Sequence, residues 1–138
     1  MRTALDTNVI SALLSREPTN KRAVELLGNA KAAGGLVICG AVYAELLAYP
    51  GMTKEWLEHF LDDTGIDVDF ELSDVVWLEA GLQYAQYAKR RRISSGNSPK
   101  RLLVDFVIGA HAAKTADQLI TFDPDRYRQA FPNLELVR

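Results

Sequence analysis

Residues 2 to 9 read Arg-Thr-Ala-Leu-Asp-Thr-Asn-Val. Arg2 to Leu5 is too short and too β-compatible for a helix, and it passes without a loop into residues of helical period, the mark of a strand feeding a helix. Working outward, the same alternation recurs to the end of the chain. Strands are expected near 2 to 5, 36 to 39 (Leu-Val-Ile-Cys), 66 to 70 (Ile-Asp-Val-Asp-Phe), 118 to 121 (Gln-Leu-Ile-Thr) and 134 to 137 (Leu-Glu-Leu-Val). Helices are expected near 8 to 16, 20 to 33, 41 to 49, 53 to 63, 74 to 92, 103 to 115 and 125 to 130. Short apolar strands separated by helices predict an α/β fold, a parallel sheet of five strands covered by helices on both faces.

Thr19 or Asn20, Thr53 and Ser73 are expected to cap helices, and Gly34-Gly35 and Pro50-Gly51 to stop them. The helix over 74 to 92 spreads its apolar residues over too wide an arc for one stripe and is predicted to pack on two sides. With 138 residues, 48% of them hydrophobic and 25% charged, the chain is read as one ordered domain over 1 to 138. No signal segment or membrane-length apolar run is evident, so a cytoplasmic protein without membrane contact is expected. Cys39, the one cysteine, is expected to be a small buried hydrophobe.

The net charge of −2 conceals two blocks. Glu55, Glu58, Asp62, Asp63, Asp67, Asp69, Glu71, Asp74 and Glu79 fall in a stretch without Lys or Arg. Lys89, Arg90, Arg91, Arg92, Lys100 and Arg101 flank the turn-forming Ser94-Ser-Gly-Asn-Ser-Pro99 without an acid. The basic block suits RNA phosphates; it equally suits a solvated helix end.

Four carboxylates stand out because acids are seldom placed in apolar runs without compensation. Asp6 ends the first strand, Glu45 is the sole charge in Ala41 to Tyr49, Asp105 the sole charge in Leu102 to Ala110, and Asp123 follows Leu119-Ile-Thr-Phe. None of these runs holds a Lys or Arg, so no local salt bridge accounts for them. Ligands of parallel sheets bind beyond the carboxyl ends of strands, where Asp6 and Asp123 fall. Four such acids in one pocket require a cation, and oxygen-only ligands favour Mg²⁺ or Mn²⁺ over zinc. Plainer readings stand beside this one. Asp6, Thr7 or Asn8 can cap the first helix, and Asp123-Pro124 looks like a cap followed by proline. Glu45 and Asp105 are harder to explain that way. His59 and His111 are expected to be structural.

The opening Leu5-Asp-Thr-Asn-Val-Ile10, the central Glu45, the segment Leu103-Val-Asp-Phe-Val-Ile-Gly-Ala-His-Ala112 and the closing Leu119-Ile-Thr-Phe-Asp123 resemble the PIN-domain ribonucleases, in particular the VapC-like toxins of toxin–antitoxin pairs. The resemblance covers essentially the whole chain. It implies a flavodoxin-like three-layer α/β/α fold and Mg²⁺- or Mn²⁺-dependent endonucleolytic cleavage of RNA. By position, Asp6, Glu45, Asp105 and Asp123 match that family's acidic quartet, Thr121 its frequent hydroxyl, and Asn8 a position commonly polar. It also implies a homodimer and an antitoxin that packs on the toxin and places a basic side chain in the acidic pocket. Tyr43, Tyr49, Trp56 and Phe60 are candidates for that surface. A non-catalytic RNA-binding or regulatory module is the alternative. Phosphoryl transfer of the haloacid dehalogenase type is disfavoured because Asn8 replaces the second acid of its motif and no lysine motif is evident; receiver domains are disfavoured on similar grounds.

Overall fold

The computed structural model describes residues 1–97 and 99–138; Ser98, inside the turn-forming stretch, lies outside the described residues. The elements run β1 (Arg2–Leu5), α1 (Thr7–Leu14), α2 (Thr19–Ala33), β2 (Gly35–Cys39), α3 (Gly40–Leu46), α4 (Lys54–Thr64), β3 (Ile66–Asp69), α5 (Asp74–Ile93), α6 (Leu103–Thr115), β4 (Gln118–Ile120), α7 (Asp125–Arg128) and β5 (Glu135–Val137). The five strands form one sheet in the order β3-β2-β1-β4-β5, with every pairing parallel. Ala4 stands beside Val37 on one side and Leu119 on the other. Leu5, Val37, Ile38, Leu119 and Ile120 are essentially inaccessible. This is why Leu36 to Cys39 of β2 reads as a continuous apolar run and β1 and β4 end in apolar pairs: helices cover both faces of the sheet there. The edge strand β3 instead carries Asp67 and Asp69, acids that oppose further pairing.

Local chemistry sets the helix ends, with one departure from expectation. Thr53 accepts from the Trp56 amide at 3.1 Å and Ser73 from the Val76 amide at 3.5 Å, so both cap as expected. Neither Thr19 nor Asn20 caps α2, whose cap position is held by Pro18 without a side-chain bond. The Asn20 amide reaches back and donates to the carbonyls of Leu13 (2.7 Å), Ser15 (3.1 Å) and Ala12 (3.3 Å). The reason is that α1 ends with no glycine to turn its last carbonyls aside, and an amide donor satisfies them better than it could an amide-rich helix start. Gly34 ends α2 because a Cβ there would overlap the Met1 carbonyl, and Gly109 is required inside α6 because a Cβ would enter the Phe131 ring.

The expectation that α5 packs on two sides is not met within the chain. Val76, Ala80 and Tyr87 are buried, with Tyr87 and Tyr84 meeting Phe106 of α6, while Val75, Trp77, Leu78 and Leu82 are at least half exposed. The wide apolar arc therefore has one covered side. Cys39 is buried, and burial raises the pKa of its thiol. His111, expected to be structural, is buried, and its Nε2 lies 2.8 Å from Asp69 Oδ2. Asp69 also accepts from Arg2 at 3.1 Å, and Arg2 donates to the Thr115 carbonyl at 2.8 Å. Burial lowers the pKa of His111 more than Asp69 raises it, so the imidazole is neutral and donates from Nε2. Burial alone would raise Asp69, but hydrogen bonds from His111 and Arg2 and the Arg2 charge outweigh it and hold the carboxyl below its ordinary range. Among the described residues no helix is long and apolar enough to cross a membrane.

Candidate active site

The strand order reverses between β1 and β4: from β1 the sheet grows through β2 to β3, and from β4 to β5. Such a switch point opens a crevice beyond the carboxyl ends of the two strands. Asp6 leaves β1 there, with its amide still bonded to the Ile120 carbonyl at 3.0 Å. Its side chain has two jobs. Oδ1 accepts from the Thr7 amide at 2.7 Å, which makes Asp6 the cap of α1, as the plainer reading of the sequence allowed. Oδ2 accepts from Thr121 Oγ1 and from the Tyr127 hydroxyl, each at 2.8 Å. Asp6 is 2% exposed, and burial raises its pKa despite all three donors. The charge is thus held where the fold would rather have none, a frequent property of functional acids.

Thr121 and Asn8 fix the crevice from the β4 side. Thr121 Oγ1 accepts from the Asp123 amide at 3.0 Å while donating to Asp6, so one hydroxyl sets the spacing of the two acids. Asn8 Oδ1 accepts from the Phe122 amide at 3.2 Å, and its Nδ2 donates to Thr121 Oγ1 at 3.5 Å, tying α1 to the segment after β4. Glu45 is exposed on α3 and is joined to the group through Thr7, whose hydroxyl donates to Oε1 at 2.6 Å.

Asp105 and Asp123 have a partner that the apolar runs concealed. Arg126 of α7 lies with Nε 2.7 Å from Asp123 Oδ2 and NH1 3.8 Å from Asp105 Oδ1. The expectation that no local salt bridge accounts for these acids is therefore corrected at Asp123, whose partner stands three residues on in α7, just beyond the apolar run. Arg126 is partly buried, which disfavours its charge, yet Asp105, Asp123 and Asp6 together raise its pKa. Asp105 also turns Oδ2 back to the Leu102 amide at 3.0 Å, an acid in the first turn satisfying a free helix donor. The capping roles thus fall differently from expectation. Asp6 and Asp105 satisfy helix starts, whereas Asp123 does not; Pro124 occupies the cap position of α7 and the Asp123 carboxylate turns to Arg126.

Asp6, Asn8, Thr121 and Asp123 consequently form one hydrogen-bonded chain, with Asp105 joined through Arg126 and Glu45 through Thr7. Asp6, Glu45 and Arg126 line a common cavity of about 490 Å³ with Asn8, Ser11 and Tyr49. Among the described residues no three acid, histidine or cysteine side chains are grouped closely enough to hold a metal ion as they stand. The donor chemistry nonetheless fits a hard divalent cation. It is all oxygen, and Mg²⁺ needs only one or two carboxylates while keeping several waters. Asp6 Oδ1, which accepts a single protein hydrogen bond, retains capacity for such a ligand.

Three participants escaped the sequence reading. Arg126 stands three residues beyond Asp123, a helical ion-pair spacing that was readable. Thr7 and Tyr127 carried no such signal: Tyr127 is fully buried, and only the folded chain turns its hydroxyl to Asp6. Burial and the Asp6 carboxylate raise the pKa of Tyr127, so it remains a donor. The basic block divides. Arg90 and Arg101 line a small cavity that also includes Asp125 and Arg126, whereas exposed Lys89, Arg92 and Lys100 line neither that cavity nor the acidic one. Arg91 donates to the Gly96 carbonyl at 3.1 Å. Of the aromatic candidates, Trp56 is half exposed and stacks on Phe60 at 5.5 Å, and Tyr43 meets Phe70 edge-on at 5.0 Å. Tyr49 and Trp56 border a second cavity with Leu13, Leu14 and Met52.

Residues 3–132 match the family model of the PIN domain. No curated protein matches the sequence. The fold is similar to solved structures of VapBC2 from Rickettsia felis bound to a DNA fragment from their promoter (20% identity, 99% of this chain and 98% of that one, TM-score 0.66). It is likewise similar to VapBC-1 from nontypeable Haemophilus influenzae (20% identity, 99% and 97%, TM-score 0.67). FitAcB from Neisseria gonorrhoeae aligns over 99% of this chain and 96% of that one, at 22% identity and a TM-score of 0.61.

Proposed function

Because the chain belongs to the PIN-domain family, we propose that it is a Mg²⁺- or Mn²⁺-dependent endoribonuclease, the VapC-like toxin of a toxin–antitoxin pair. The observation that carries this reading is the linkage of buried Asp6 through Thr121 to part-exposed Asp123 across the β1/β4 switch point, with Asp6 opening on a cavity. Asp6, Asp105 and Asp123 would hold the cation, with Glu45 at the margin. When bound, such an ion lowers the pKa of water and neutralises charge developing on a phosphodiester. The chain's own groups supply the rest. Thr121 and Tyr127 fix the orientation of Asp6, Thr7 restrains Glu45, and Asn8 keeps the two strand ends in register. Arg90 and Arg101, next to Arg126, are the members of the basic block best placed to meet RNA phosphates.

An antitoxin segment would use the apolar cavity between Leu13, Leu14, Tyr49, Met52 and Trp56, which adjoins the acidic one at Tyr49. A homodimer would cover apolar residues of α5 such as Trp77 and Leu78. The non-catalytic alternative draws on one observation: Arg126 already neutralises Asp105 and Asp123 without a metal. Mapping cleavage ends on total cellular RNA with and without Mg²⁺ separates the two. Mg²⁺-dependent ends made by the wild type and absent with Asp105→Ala support the nuclease; identical end profiles in all conditions sink it.

A further inference from the structure

Among the described residues Arg126 is the cation seated among the acids of the site, and its position is unusual in three respects. It touches two carboxylates from different elements, Asp123 at 2.7 Å and Asp105 at 3.8 Å. Its side chain is 40% exposed and springs from the four-residue helix α7, so no long element clamps it. It also forms part of the wall of both the acidic cavity and the smaller cavity beside Arg90 and Arg101, so the guanidinium has space on either side. A guanidinium between two carboxylates performs electrostatically what a divalent cation would, cancelling their mutual repulsion. The two cannot occupy the same oxygens.

We propose that Arg126 is the resident counter-ion of this site, a positioning residue that holds Asp105 and Asp123 in the metal-free protein and must be displaced from them for a divalent cation to bind. This rests on the metal-site reading above, and adds that the chain itself competes for the site. Divalent-ion affinity is then set by the carboxylates less the strength of their pairing with Arg126.

The test is Mn²⁺ binding to the full chain, followed by calorimetry and by electron paramagnetic resonance of free Mn²⁺, in wild type, Arg126→Gln, Arg126→Lys and Asp105→Asn. Arg126→Gln removes the competitor and is expected to tighten Mn²⁺ binding roughly fivefold, the scale of one partly exposed ion pair. Arg126→Lys keeps the charge but not the two-sided fork, and should fall between the two. It preserves the test if the glutamine variant does not fold. A residue with only a structural role would leave the Mn²⁺ affinity unchanged or weaken it. Unaltered or weaker binding in the folded Arg126 variants, alongside wild-type binding that Asp105→Asn abolishes, overturns the inference and leaves the metal site standing. Binding by Arg126→Gln where the wild type binds nothing measurable supports the inference most strongly. No binding by any of the proteins removes both readings.

Discussion

Two carboxylate networks brace this domain, one around half-buried Asp69 and one around buried Asp6, and they are built to different rules. At Asp69 one carboxylate oxygen is held from two sides: His111 and the Arg2 guanidinium both meet Oδ2, and Arg2 also bonds the Thr115 carbonyl, so the charge has a cationic partner of its own. At Asp6 the donors are neutral hydroxyls and an amide, and the nearest cation, Arg126, is paired with Asp105 and Asp123 instead. The signs of the perturbations follow. The Asp69 carboxyl is held below its ordinary range while that of Asp6 is raised. A network that satisfies its own charge contributes stability; one that leaves a charge under-compensated beside a cavity is poised to bind something.

The largest expected effect tests that difference at the open network. Asp6→Asn should reduce metal-dependent RNA cleavage by on the order of a thousandfold, because the variant keeps the shape and loses the charge. Its side-chain oxygen can still accept from the Thr7 amide, but its NH2 meets the Thr121 and Tyr127 hydroxyls, which must turn to accept; relief of a buried charge offsets that cost, and the melting temperature should stay within roughly 3 °C of the wild type. A large loss of stability by calorimetry would erase the distinction between the networks. His111→Ala, at the closed network, should do the reverse. It should cost about 3 kcal/mol in denaturant titration, from a cavity and a weakened Asp69, with little change in cleavage per folded molecule.

Two finer tests sharpen the contrast. Tyr127→Phe removes one of two donors to Asp6 Oδ2 and should lower stability by about 1 kcal/mol and cleavage by roughly tenfold, whereas an unchanged cleavage rate would show that Asp6 needs only Thr121. The smallest effect concerns pH. The pKa of His111 is lowered in the folded chain, so as pH falls the unfolded chain takes up the proton first; the His111 contribution is full above about 6.5 and lost as pH falls toward the folded value. Asp69, also lowered, loses its contribution further down, below its ordinary 3.8. Asp6 has the opposite sign, since its raised pKa lets the folded chain protonate first. His111→Gln should therefore flatten the fall in melting temperature between pH 7.5 and 5.5 by roughly 2 °C, with the acid limb below pH 5 retained.

Much of the site was legible as sequence. The members of the quartet announced themselves as acids in apolar company, and Asp6, Asp123 and Thr121 do converge through hydrogen bonds. The reasoning ranked the four differently from the structure, however. Glu45 stood out because its neighbours are apolar, yet those neighbours include exposed Ala44 and Leu47, so the run was no measure of burial. Asp6 and Asp105 are the buried pair. Capping did not compete with a site role as expected, because a carboxylate has two oxygens and Asp6 uses one for the helix and the other for the site.

From sequence alone, the alternation of short apolar strands with amphipathic helices determined the element order and the parallel sheet, since both follow from local periodicity and chain direction. Which strands become neighbours is a long-range choice, and only the tertiary structure decided the order β3-β2-β1-β4-β5 and with it the crevice between β1 and β4. The same holds for the partners of the acids. Tyr127 lies 121 residues from Asp6 and Arg126 approaches Asp105 across two elements, contacts that no local pattern encodes because they depend on how helices seat on the sheet. Carboxylates could be recognised by where they interrupt apolar runs; the Tyr127 hydroxyl on Asp6 and the reach of Arg126 to Asp105 could be recognised only once packing had brought them close.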